Sequence, residues 1–153
     1  NNHETSSTNL SKIEAFKANQ NFTITKPHDW FEVFHHGYVG YTPIPPNDNH
    51  FKTIVSIFQH NINTKALPFN TFVDNQIKQY KDVVSIYNAS LKEVNNHLGT
   101  VYIHEFETET HQVIVMYFQN NGHYYQYKYS ALDKSFKKHL NSALLILDSI
   151  SFK

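Results

Sequence analysis

The stretch His111-Gln-Val-Ile-Val-Met-Tyr-Phe-Gln-Asn-Asn-Gly-His-Tyr-Tyr-Gln-Tyr-Lys-Tyr-Ser130 decides the fold. At its centre Asn121-Gly122 joins two runs rich in aromatic and β-branched residues. Asparagine and glycine both tolerate positive φ, so the pair predicts a two-residue type I′ hairpin. That turn fixes the register: Asn120 faces His123, Phe118 faces Tyr125, Met116 faces Tyr127 and Ile114 faces Tyr129. Val113, Val115 and Tyr117 then share the opposite face, so the first strand is apolar on both sides. A strand of that kind lies inside its sheet and is covered twice. The stripe Tyr125, Tyr127, Tyr129 could form an exposed stacking platform. Set against Phe118, Met116 and Ile114, it reads instead as a face buried under a helix, with its hydroxyls reaching the rim.

The pattern extends in both directions. Downstream, Asp133 is placed to cap a helix through Asp148, with Phe136, Leu140, Ala143, Leu144 and Leu147 as its buried stripe. The ending Ser-Ile-Ser-Phe-Lys gives a short strand. Upstream, Thr100–Phe106 is a third strand and 85–94 a fourth. Asn70 reads as the cap of a helix carrying Phe72, Val73, Gln76, Ile77, Tyr80 and Val84 at helical spacing. Residues 51–62 are strand-like, and Thr-Pro-Ile-Pro-Pro-Asn-Asp-Asn-His (42–50) is a loop by composition. Phe31, Val33 and Tyr38–Tyr41 resume strand character around turn positions at Gly37 and Gly40.

Near the N-terminus, Asn21–Thr25 alternates with Phe22 and Ile24 on one face, which predicts a strand. Pro27 stops it, having no N–H for a ladder and biasing Lys26 to extended geometry. Trp30 is the only tryptophan. It reads as a packed corner where the next strand begins, in preference to a recognition site. Ser11-Lys-Ile-Glu14 matches a capping box that opens a short helix through Ala18, or else belongs to an extended lead-in. Residues 1–10 read as a disordered tether and 11–153 as a single domain. The expected class is α+β, a mostly antiparallel sheet with helices against both faces.

Composition narrows the function classes. The chain has 153 residues, a formal charge of zero and 13 basic side chains, all lysine. Without arginine or a net positive field, nucleic-acid binding has little to stand on. Cysteine is absent, so thiol catalysis, disulfides and cysteine-held metals are excluded within the chain. No apolar run is long enough to span a bilayer. The asparagine- and lysine-rich mix reads as coding bias of an AT-rich genome. A polar start at Asn1 fits a chain whose leader has been removed.

Eleven histidines invite a metal reading. The best pair is His104 and His111, diagonal neighbours on one face if Phe106 stands opposite His111. A third ligand of the kind catalytic zinc requires is not visible, and there is no His-Glu-x-x-His. His35 and His36 precede Gly37, and adjacent strand residues point to opposite faces, which argues against one shared ion. No Gly-x-Ser-x-Gly elbow or glycine-rich phosphate loop occurs. Paired carboxylates for hydrolysis could come only from Glu105, Glu107 and Glu109.

The stretch Asn-Phe-Thr-Ile-Thr-Lys-Pro-His-Asp-Trp-Phe-Glu-Val (21–33) resembles the opening of PsbP-like domains. There a Phe-x-Ile-x-x-Pro-x-x-Trp run begins the sheet. The order that follows is similar: paired strands, a helix near 70–82, a Leu98-Gly99 turn, the tyrosine-rich strand, and a closing helix with Ile-Leu-Asp-Ser-Ile-Ser-Phe. The resemblance covers about residues 13–153 and implies an α/β/α sandwich of the Mog1/PsbP type. Members include photosystem II extrinsic subunits, a Ran-binding nuclear protein and bacterial envelope lipoproteins, which act mostly by binding and assembly. The expectation is therefore a non-enzymatic, exported bacterial lipoprotein domain that binds a protein partner or an envelope component. No cofactor or nucleic acid is expected, and the membrane enters only through a lipid anchor upstream. The alternatives are a small-ligand or metal-binding module using His104 and His111, then a hydrolase, with a cytoplasmic location as the alternative to export.

Overall fold

Asn121 and Gly122 both adopt positive φ, 49° and 77°, and the hairpin closes as the dipeptide predicts. The computed structural model describes residues 2–45, 52–83, 86–94, 97–106 and 109–153, with side chains for 10–45, 52–79 and 109–153. Along the chain run α1 (Asn2–Asn19), β1 (Phe22–Thr23), β2 (Phe31–His35), β3 (Tyr38–Thr42), β4 (Ile54–His60) and α2 (Phe69–Val83). Then follow β5 (Ile86–Val94), β6 (His97–Phe106), β7 (Glu109–Asn120), β8 (His123–Leu132), α3 (Asp133–Asp148) and β9 (Ser151–Phe152).

Seven strands form one sheet in the order β2-β3-β4-β8-β7-β6-β5, and every pairing in it is antiparallel. The chain leaves β4, makes α2 and meanders back from the far edge, so β8 docks beside β4. The β7–β8 register is the expected one: Phe118 faces Tyr125, Met116 faces Tyr127 and Ile114 faces Tyr129. Strand alternation then divides the core. On one face Ile114, Met116, Tyr125, Tyr127 and Tyr129 pack with Val55 and Ile57 under α3 and α1. On the other, Val113, Val115, Tyr117 and Tyr124 pack against Phe72 and Val73 of α2. Helices thus cover both faces, and β7 is buried twice over.

The tyrosine stripe is core, but its hydroxyls do not all reach a rim. Tyr127 donates to the Ala143 carbonyl at 2.6 Å and Tyr129 to the Phe136 carbonyl at 2.8 Å, both on α3. A buried phenol needs a partner, and the backbone of the covering helix supplies it. On α3 the buried residues are Phe136, Ala143, Ile146 and Leu147, with Leu140 and Leu144 half-buried. Asp133 lies in the first turn without capping it; its carboxylate accepts from the Gln112 amide instead.

Three local readings change. The alternating run at 21–25 yields only Phe22–Thr23, which pairs with β9 and not with the main sheet. Beyond Thr23 the Thr25 N–H goes to Ser149 Oγ at 2.9 Å, so a side chain replaces a ladder partner. Gly40 lies inside β3, not at a turn. A Cβ there would stand 2.8 Å from Ile54 Cδ1, so any larger residue would have to displace the Ile54 side chain on β4. Third, α1 starts at Asn2, ahead of the Ser11 box, so a helical backbone runs through residues expected as a tether. Nothing between Asn2 and Ser11 is a proline or glycine that would stop the helix propagating. The corner itself is as expected: the Trp30 N–H donates to the Pro27 carbonyl at 3.0 Å, and the indole is 2% exposed, edge-on to His139.

Candidate functional site

The site begins with how α1 is held. Ile13 is its buried anchor, and Lys17 Nζ lies 3.1 Å from both carboxylate oxygens of Glu32 on β2. Phe16 is only half-buried. One turn beyond β2, His36 and Gly37 make a second two-residue hairpin, with φ of 53° and 86°. Between the C-terminal half of α1, this hairpin tip and the end of β4 lies a cleft of about 530 Å³.

Its lining is aromatic. Phe16, Phe34, Tyr38 and Phe58 are half-buried there, and Phe22 is buried at 2% exposure. Tyr38 stacks on Phe58 with ring centroids 5.0 Å apart. Lys12 is the one charged residue among those lining the cleft, its Nζ 5.7 Å above the Phe34 ring. The amides at the rim are engaged with one another and with neighbours. Asn21 Nδ2 lies 3.5 Å from Gln59 Oε1, Gln59 Nε2 lies 3.1 Å from His123 Nδ1, and Asn19 Nδ2 donates to the Ala15 carbonyl. An open concavity of this size, mostly apolar with one fixed charge, has the form of a small-molecule site.

The histidine pair expected at the β6–β7 hairpin falls elsewhere than anticipated. The ladder continues until Phe106 faces Glu109, so His104 stands directly opposite His111 and not diagonal to it. A shift of two residues keeps both on the same face. At the end of this ladder Lys52 Nζ pairs with Glu109 Oε1, and His111 Nε2 is 3.7 Å from Glu109 Oε2. The lysine beside it holds the Glu109 carboxyl below its ordinary pKa. The side chain of His104 and those of Glu105 and Glu107 lie outside the described residues. Among the described residues no group of three His, Asp or Glu side chains is arranged around a common point.

His35 and His36 also differ from expectation. Positive φ at His36 folds its ring back against His35, with centroids 3.9 Å apart, so the two imidazoles are neighbours and not on opposite faces. Burial, and then the neighbouring His36, lower the His35 pKa. On the α2 face His60 Nε2 meets Gln126 Oε1 at 2.8 Å, and burial lowers the His60 pKa. The cleft had no signature in the sequence. Phe16, Phe34, Tyr38 and Phe58 look like ordinary core positions.

Neither a family model nor a curated protein matches the sequence. The fold does match solved structures. The solution structure of cyanobacterial PsbP (CyanoP) from Synechocystis aligns over 87% of this chain and 87% of its own, with a TM-score of 0.56 and 8% identity. The crystal structure of LpqN from Mycobacterium tuberculosis, described as involved in cell envelope biogenesis, aligns over 86% and 83%, at TM-score 0.58 and 12% identity. A Bacteroides thetaiotaomicron structure aligns over 87% of this chain and 45% of its own, at TM-score 0.52 and 14% identity. The chain has a PsbP-like fold.

Proposed function

We propose that this PsbP-like chain is a non-enzymatic binding domain of the bacterial cell envelope, and that the cleft beside α1 receives its ligand. The observation that carries the reading is the cleft itself: four half-buried aromatic rings on an open concavity of about 530 Å³. Half-buried aromatics are costly to leave in water, and filling the cleft recovers that apolar surface. Its described lining has no carboxylate, imidazole or thiol, and a binding role needs none. The envelope assignment rests on the polar start and asparagine- and lysine-rich composition of the sequence and on the LpqN likeness.

Two measurements test it. Expressed from its natural gene, the protein is expected in the envelope fraction; recovery from the cytosol alone would remove the location. For the cleft, native mass spectrometry after exposure to a solvent extract of envelopes should show a retained component. Ala15 is exposed on α1 and lines the cleft, so Ala15→Trp fills the space and should abolish retention. Equal retention by both proteins would refute the site.

A second reading is a metal site on His104 and His111. The register favours it, because directly opposed strand residues hold their Cβ atoms roughly 4.5–5.5 Å apart. Calorimetric titration with zinc should then give heat that His111→Ala removes, and no heat would end the reading.

A further inference from the structure

We infer that the occupant of the cleft is a single-chain amphiphile with an anionic head, a carboxylate or a phosphate monoester, its head on Lys12 and its alkyl body along Phe16, Phe34 and Phe58. The inference rests on the cleft being the binding site and adds the chemistry of what it takes. Three observations point the same way. Lys12 is the one charge in the lining, and its ammonium has a ring beneath it but no carboxylate within ion-pair distance among the described residues. The nearest acid on β2, Glu32, is already held at both oxygens by Lys17. An anion at the cleft mouth therefore meets an available cation, and no described carboxylate lines the cleft to repel it.

The polar rim argues against a sugar. A polyhydroxylated ligand needs several free donors and acceptors, since each hydroxyl it buries must find a partner. Here Asn19 and Asn21 already spend their amide nitrogens on the Ala15 carbonyl and on Gln59, and Gln59 spends its own on His123, which leaves few donors at the rim. What remains is a mostly hydrocarbon surface with one charge at its edge, which matches an alkyl chain ending in one anion. Lysine, as a compact ammonium, also suits a point contact to a carboxylate or phosphate better than bidentate recognition.

The test is calorimetric titration of the whole chain with decanoate, dodecanoate, dodecyl phosphate, dodecanol and a soluble apolar decapeptide, each below its micelle concentration. Affinity should rise roughly tenfold for every two methylenes while the added carbons stay inside the cleft. Dodecanoate and dodecyl phosphate should bind at least about threefold tighter than dodecanol. Lys12→Gln, an exposed change, should erase that preference while keeping the chain-length dependence, and Ala15→Trp should abolish all binding. Equal binding of dodecanol and dodecanoate to the unaltered protein overturns the inference but leaves the cleft as a site, provided Ala15→Trp still blocks it. Binding of the peptide in place of the amphiphiles overturns it in the same way. If no probe binds and no envelope component is retained, both the inference and the site fall.

Discussion

One face of the sheet is closed by one helix and left open by another. Under α3 the surface is dry: Ala143, Ile146 and Leu147 are at most 1% exposed, and Tyr127 and Tyr129 fasten to the helix backbone. Under α1 a single buried anchor, Ile13, is joined by a surface ion pair, Phe16 and Phe34 stay half-open, and Tyr38 and Phe58 line the same cleft from the ends of β3 and β4. The same sheet and the same aromatic chemistry give a core in one place and a candidate site in the other. The difference lies in how closely the covering helix approaches. α3 approaches closely enough for phenol-to-carbonyl bonds along two turns. α1 meets the sheet mainly at β2 and β3, on its edge.

Substitutions on the two halves should therefore separate stability from binding. The largest loss belongs to the corner that supports α3. Trp30→Ala removes a 2%-exposed indole packed on His139 and should cost about 3–5 kcal/mol, read from urea unfolding. A near-neutral shift there would make the tryptophan a recognition residue after all. Tyr127→Phe comes next. It deletes the bond to the Ala143 carbonyl without opening a cavity, and about 1 kcal/mol should be lost. No loss would mean that the hydroxyl does not help close the dry side.

Acidification should act next, through imidazoles. Burial holds His60, His35 and His139 below the ordinary value of 6.5. The unfolded chain then takes up protons more readily, so stability is full above about 6.5 and falls as pH drops through the lowered folded values. Glu109, held low by Lys52, contributes in a separate window, lost only as pH falls below 4.5. Unfolding midpoints should be flat from pH 7 to 8.5 and decline toward pH 5, less steeply in His60→Gln. A midpoint that rises on acidification would reverse the sign. The smallest effect on stability is expected at the open side. Ala15→Trp is a surface change, within about 0.5 kcal/mol, yet it should remove binding.

Much of the closed half was legible in the sequence, and the open half was not. Asn121-Gly122 has one favourable turn, and from it the pairings of Phe118, Met116 and Ile114 follow by arithmetic. The α3 stripe follows from helical period alone. By contrast the β6–β7 register has no comparable turn signal in the sequence, and the expectation lay two residues out. Gly40 looked like a turn because the neighbour that crowds it, Ile54, belongs to another strand. The cleft is assembled from α1 and the ends of β1 to β4, a juxtaposition that no periodicity encodes. Sequence pattern specifies which residues face a layer, not how far that layer stands off.

The division between a closed core and an open site can be read in one experiment, a nitrogen-15 backbone amide NMR titration with dodecanoate. The account predicts shifts confined to residues 12–22, 34–38 and 58–59, with α3 residues 136–147 unmoved. Shifts centred on α3, or none at any concentration below the micelle limit, would contradict it.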